Sequence, residues 1–441
     1  RAGSVVDPDS AADTARVDSA RDSSPPLDSS PADSADSADS ADHFVVPHFA
    51  TVEVIASSPA GVATPASWNA NLPKLASDGG SLYAVHTYYP DDANSRYAAI
   101  VSRPVTGGDW TEWARVEMPH QPPGAVVDAA GRLHLVFACQ RPGSTDVTCF
   151  TGGAGTQGNA RRFYHLVFET RADDLRYDPT TYGNWDEWTT STNGYLGLGT
   201  TPDGTTWWSL ADDAWRRVVQ SWSAGGDVDT LATLDLAPYY LLYPVHAALS
   251  YRELLLFSGE FSPGSGSNAA YDAAVAFIGD GSEFRPVYQV APGSGATLAA
   301  FPNDALYDAE GTTTLAYVDD GAPDNVLATG LGTSSEAETL VGNLGTYAKL
   351  HRDGDALWLL APSATTTWNL AYSHDNGATW TTTELAVEGL DPADTSLVGF
   401  TLLRPDGSPL AHDPGTIQFF AAGLDRAALA TRSYYGEIHL R

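Results

Sequence analysis

The chain has 441 residues, with 23 Lys and Arg against 55 Asp and Glu, a formal charge of −32. A chain this acidic repels phosphate backbones and anionic membranes, which argues against nucleic acid as a partner and makes cations its natural counter-ions. It has no run of about 18 apolar residues, so no transmembrane segment is expected.

Residues 1–42 hold ten Asp, ten Ser, three Arg and no aromatic residue. The stretch from Asp33 to Asp42 reads DSADSADSAD, a strict three-residue repeat. Such a tail cannot bury enough apolar surface to offset chain entropy and is expected to be disordered on its own. A period of three matches polyproline II, which would line Asp along one edge and Ser along another. Two roles fit: a solvated spacer, or a strand laid on a neighbouring subunit or O-glycosylated at hydroxyls such as Ser34, Ser37 and Ser40. The chain begins at Arg1 without Met or an apolar signal core, which fits a mature, processed product or a trimmed chain. In composition the tail resembles the Asp/Ser/Ala-rich spacers that follow signal peptides in exported proteins of some Gram-negative bacteria.

Residues 43–441 read differently, as short apolar runs separated by Asp/Gly turns. The recurring unit is a turn followed by an alternating strand. Ser77-Asp78-Gly79-Gly80 precedes SLYAVHTY, Asp128-Ala129-Ala130-Gly131 precedes RLHLVF, and Pro202-Asp203-Gly204 precedes TTWWSLA. Ser250-Tyr251-Arg252 precedes ELLLF, Asp308-Ala309-Glu310-Gly311 precedes TTTLAYV, and Arg352-Asp353-Gly354 precedes DALWLLA; the seventh is Arg404-Pro405-Asp406-Gly407. Seven turns at this spacing predict an all-β, β-propeller fold of about seven four-stranded blades, with six or eight left open. The blades are read as 67–118, 119–190, 191–236, 237–292, 293–342, 343–388 and 389–441, with 49–57 closing the ring. Gly108-Asp109-Trp110-Thr111-Glu112-Trp113 and its echo Gly183-Asn184-Trp185-Asp186-Glu187-Trp188 mark outer strands of the first two. Cys139 and Cys149 flank a loop between two strand-like runs. In an exported chain they are expected to form a disulfide closing that hairpin, with two buried thiols as the alternative.

Residues 373–380 read Ser-His-Asp-Asn-Gly-Ala-Thr-Trp. Ser373, Asp375, Gly377, Thr379 and Trp380 match the Asp-box pattern, and the segment resembles the repeat of sialidases and other propeller proteins. The resemblance implies a hairpin turn in which the Asp375 carboxylate accepts backbone N–H bonds, Gly377 takes positive φ and Trp380 packs beneath. It also implies a structural role at the periphery. A sialidase-like activity would need a triad of arginines, a Tyr/Glu pair and an Asp acid, and the early Arg motif of that family is missing.

No HExxH, G-x-S-x-G or phosphate-binding loop is present, so no catalytic residue, metal site or cofactor is assigned. Acidic pairs such as Asp212-Asp213 and Asp319-Asp320 allow incidental calcium binding at most. Trp207 and Trp208 are adjacent in one strand, where alternation sends their rings to opposite faces; blade packing is the first reading for each, and one ring left exposed for a glycan or an interface is the alternative. The function expected first is a non-catalytic extracellular structural protein, self-associating into a filament or surface layer through its tail. The alternative is a propeller that binds cell-surface glycan or protein from a flexible stalk, with a sialidase-like glycosidase more distant.

Overall fold

The computed structural model describes residues 46–57, 72–88, 96–118, 123–140, 161–170, 197–200, 205–211, 217–222, 228–234, 245–249, 252–258, 274–279, 284–290, 300–307, 313–319, 324–345, 347–353, 355–403, 415–428 and 430–440. Chain contacts divide it into residues 1–43 and 44–441, and all described residues belong to the second unit.

Among the described residues every regular element is a strand. β1 (Phe49–Ser57) comes first. β2 (Leu75–Ser77), β3 (Ser81–Tyr88), β4 (Arg96–Pro104) and β5 (Thr111–Met118) form a four-stranded meander. β6 (Gly124–Val127), β7 (Arg132–Gln140) and β8 (Arg161–Glu169) form the second sheet. The third holds β9 (Gly197–Thr200), β10 (Thr206–Ala211), β11 (Arg217–Trp222) and β12 (Val228–Leu234). The fourth holds β13 (Val245–Leu249), β14 (Arg252–Ser258), β15 (Ala274–Gly279) and β16 (Phe284–Val290). The fifth holds β17 (Ala300–Tyr307), β18 (Thr313–Asp319), β19 (Asp324–Thr329) and β20 (Ala337–Gly342). The sixth is β21 (Lys349–Asp353), β22 (Ala356–Ala361), β23 (Thr367–Ser373) and β24 (Thr381–Glu388). The last is β25 (Ser396–Leu402), β26 (Thr416–Asp425) and β27 (Ala430–His439), completed by β1.

The first strand of each sheet touches the first strand of the next, from β2 through β6, β9, β13, β17 and β21 to β25. The Lys74 N–H then donates to Thr401 Oγ1 of β25 at 3.2 Å, which returns the ring to its start. This radial repetition is the β-propeller. Burial follows radius. β22 is buried along nearly its whole length because neighbouring sheets cover both faces, whereas outer β24 alternates exposed and buried side chains. The core therefore lies between sheets. Tyr83, Ile100, Leu133 and Phe137 pack the first against the second. Trp368, Leu385, Phe400 and Phe419 pack the sixth against the seventh.

Closure uses both chain ends. β1 runs antiparallel to β27, from Thr51↔Glu437 to Ser57↔Arg432. It also pairs parallel with β24 over Phe49↔Ala386 to Thr51↔Glu388, which fuses the sixth and seventh sheets into one of eight strands. Gly389 makes this crossing fit, since a Cβ there would stand 2.1 Å from the Val52 carbonyl oxygen. A side-chain clasp adds to it. Arg103 of β4 ion-pairs with Glu53 of β1, and its guanidinium lies 5.0 Å from the Trp110 ring centre and 4.3 Å from that of Tyr435 on β27.

Candidate ligand cleft between two sheets

A cavity of about 440 Å³ opens between the sixth and seventh sheets. Three segments wall it. The β20–β21 connection contributes Leu344, Gly345 and Tyr347, and the β22–β23 turn contributes Pro362, Ser363 and Ala364. Thr395, Ser396, Leu397, Gly399 and Phe400 come from the start of β25, and Asn369 comes from β23. In an up-and-down meander, the second-to-third turn and the crossover to the next sheet leave from the same end of the strands. The three segments therefore converge.

Tyr347 has φ 66°, one of two non-glycine residues in left-handed backbone among the described residues. A bulky side chain there costs about 1–3 kcal/mol, and persists where the surroundings over-determine it. Two fully buried amides do so here. The Tyr347 N–H donates to Asn303 Oδ1 at 3.0 Å, and Asn303 Nδ2 donates to Asn325 Oδ1 at 2.9 Å. Asn325 Nδ2 reaches the Gly345 carbonyl at 3.2 Å, and Asn369 Nδ2 donates to the Leu344 carbonyl at 3.0 Å.

The opposite wall is tied as firmly. Asp394, 4% exposed, accepts hydrogen bonds from the Tyr434 phenol and from Arg432 Nη1, the latter at 2.6 Å. Arg432 Nε also lies 3.1 Å from Asp391 Oδ2. Burial and the bond to Asp394 push the Tyr434 phenol well above its usual pKa, so it stays a donor. The Thr395 N–H donates to the Leu424 carbonyl at 2.9 Å and delivers the chain into β25.

The lining has no charged side chain. Hydroxyls of Ser363, Thr395 and Ser396 and the Asn369 amide supply polar groups beside Tyr347, Leu397 and Phe400. Ser396 Oγ is buried without a hydrogen-bond partner, a polar group whose valence is open. Phe400 is braced edge-on against Trp368, ring centres 5.5 Å apart at 85°. Uncharged donors and acceptors around an apolar floor suit binding of a polyhydroxylated ring rather than acid–base chemistry.

Among the described residues, none of those singled out in the sequence lines this cleft. Residues 373–380 form the turn between β23 and β24. Asp375 Oδ1 accepts the Thr379 N–H at 2.8 Å, Asp375 Oδ2 accepts the Thr379 hydroxyl at 2.6 Å, and Ser373 Oγ donates to Asp375 Oδ1 at 2.8 Å. The Thr379 hydroxyl and N–H, with Ser373, hold the Asp375 carboxyl down at about 2. Gly377 has φ 90°, and its N–H donates to Ser373 Oγ at 2.8 Å. Trp380 Nε1 donates to the Gly377 carbonyl at 3.1 Å, and its ring packs on the core between the fifth and sixth sheets.

Blade packing holds for both members of the Trp207-Trp208 pair, with Trp207 2% and Trp208 4% exposed, so neither ring is left for a glycan or an interface. Alternation does send them to opposite faces, but in a propeller each face of a sheet meets a neighbour. Trp208 packs with Leu72, Val136 and Trp222 and donates Nε1 to Gln220 Oε1 at 2.8 Å. Cys139 falls in β7, while Cys149 and the tail with Ser34, Ser37 and Ser40 lie outside the described residues.

A second polar cluster escaped the sequence reading. His134 Nε2 lies 3.0 Å from Asp128 Oδ2, and His134 Nδ1 lies 2.8 Å from His165 Nε2. Burial works to raise the Asp128 carboxyl, but bonds from His134 and Arg132 hold it at about 2. Burial lowers both imidazoles. Asp128 and His134 are wholly buried, with Trp222 edge-on to both imidazoles and Trp208 tilted against His165, so the cluster packs the second sheet on the third.

No family model and no curated protein sequence matches the chain. Solved structures do. The polysaccharide lyase Uly1 superposes with a TM-score of 0.54 at 11% identity, covering 84% of this chain and 91% of that one. The BP39L lectin from Burkholderia pseudomallei gives 0.51 at 10% identity, covering 82% and 96%. The WD40 domain of Toxoplasma gondii coronin gives 0.47 at 8% identity, covering 90% and 88%. At such identities the likeness is one of fold.

Proposed function

We propose that the protein is an extracellular glycan-binding propeller that seats a sugar ring in the cleft between its sixth and seventh sheets, with residues 1–42 as a spacer. The observation that carries this reading is Tyr347, held in left-handed backbone by the Asn303–Asn325 pair at a cavity lined by hydroxyls and an amide. Strain kept at a cavity wall marks a place where position matters more than stability. A volume of about 440 Å³ falls within the range of small-ligand sites, about 300–1,000 Å³. Two of the superposed structures, a lectin and a polysaccharide lyase with TM-scores of 0.51 and 0.54, are named for dealings with saccharides and support the same reading. The assembly role expected first from the sequence rests on the tail and draws no support from the propeller. The 373–380 turn serves this reading as a structural Asp box at the outer edge of its sheet.

The test is a glycan array probed with the labelled full-length chain beside a Tyr347→Gly variant. Glycine accepts φ 66° freely, so the variant is expected to keep its circular dichroism while losing at least tenfold in retention. Equal retention of both proteins, or no retention of either, sinks the cleft as a sugar site.

A further inference from the structure

We infer that the cleft between the sixth and seventh sheets takes an uncharged saccharide ring and rejects uronate-, sialate- or sulfate-bearing ones. The inference rests on the glycan-binding reading and narrows its ligand class. An acidic sugar needs a cation or a cluster of N–H donors to replace the water lost from its anion. The lining provides neither, since its polar side chains are Ser363, Asn369, Thr395 and Ser396, with the Tyr347 phenol. One N–H of the Asn369 amide already serves the Leu344 carbonyl.

Two cations lie beside the cleft, and each is engaged: Lys349 of β21, two positions from Tyr347, is buried with its Nζ donating to the Asn303 carbonyl at 2.7 Å. Arg432, behind the β24–β25 wall, faces two carboxylates, Asp391 at 3.1 Å and Asp394 at 2.6 Å, so the wall carries a net negative charge. The whole chain, at −32, sets a field of the same sign. A neutral ring meets no such opposition. Its hydroxyls match those of Ser363 and Thr395, and its C–H face matches Leu397.

The experiment pairs each glycan retained on the array with its acidic counterpart: hexoside with hexuronoside, desialylated with sialylated chain. Saturation-transfer NMR and titration calorimetry are run on the full-length protein at one ionic strength. The neutral member of each pair is expected to bind at least tenfold more tightly, about 1.4 kcal/mol. Ala364→Arg, which adds a guanidinium to the wall, is expected to narrow that ratio at least threefold. Acidic members binding equally or better, with binding still lost in Asn369→Ala and Tyr347→Gly, would overturn the neutral-ligand inference and leave the cleft as a sugar site. Binding that ignores both substitutions would place the sugar elsewhere and overturn the cleft reading with it.

Discussion

Single residues show how much of this molecule is decided by what lies across a sheet interface. Gly377 has φ 90°, and a Cβ there would come within 2.8 Å of Leu327 and 3.2 Å of Leu357. Gly377→Ala is therefore expected to destabilise by about 2 kcal/mol in denaturant unfolding, from backbone strain and overpacking together. Lys74, just before β2, and Lys349, at the start of β21, are both buried. Each donates Nζ to a carbonyl on a neighbouring first-strand segment, Pro123 at 2.6 Å and Asn303 at 2.7 Å. Burial lowers both amines to about 7. Between pH 7 and 10 the unfolded lysines hold protons that the folded ones have released, so stability is expected to rise with pH there. Lys74→Met should flatten the slope. At the acid end, burial lowers His86 to about 4 while Glu112 works weakly the other way. His86 bonds Ser433 of β27 at 2.7 Å, joining the first sheet to the last. Its stabilisation is complete above pH 6.5 and is lost as pH falls through 4, roughly 3 kcal/mol over the window. His86→Gln should remove that part of the acid transition measured by tryptophan fluorescence.

At the scale of elements, the strands were readable and their partners across sheets were not. SLYAVHTY is β3, RLHLVF opens β7, DALWLLA holds β22, and SYYGEIHLR runs through β27. Each of these runs that follows an Asp-bearing turn became the second strand of its sheet, where neighbours cover both faces and polar side chains such as His86 and His134 are buried beside the apolar ones. ATVEVIA became β1 against β27, as closure requires. Its parallel pairing with β24 had no sequence signal, since three residue pairs leave no pattern of their own. The clasp of Arg103, Glu53, Trp110 and Tyr435 joins four separate chain positions, and Arg103 is 11% exposed. Arg103→Ala is expected to cost about 2 kcal/mol through lost cation–π and ion-pair contacts. If the clasp secures closure, limited proteolysis of that variant should cut first at the β1 end.

For the molecule as a whole, stability comes from sheets pressing on their neighbours around the ring, and the cleft is a gap in that press. A chain starting at Phe44 is expected to keep its melting midpoint and its affinity for sugars in solution, losing only the reach that a spacer provides. Deleting through residue 58 also removes β1, which exposes the edge of β27. Loss of the monodisperse state in sedimentation should follow.

Sequence by itself determined the all-β class, the turn-and-strand repeat and the segment that closes the ring, because these follow from periodicity and turn chemistry within about a dozen residues. It also placed the hydrogen-bonding groups of the 373–380 turn, whose partners lie within eight positions of one another. Only the tertiary structure decided that Trp207 and Trp208 are both buried, that His134 and His165 meet Asp128, and where the cleft lies. Its walls come from residues 344–347, 362–369 and 395–400, and Tyr347 depends on Asn303, 44 positions away. Such a site is made by the packing of one sheet on the next, and no local pattern of residues encodes a gap between surfaces that only the closed ring brings together.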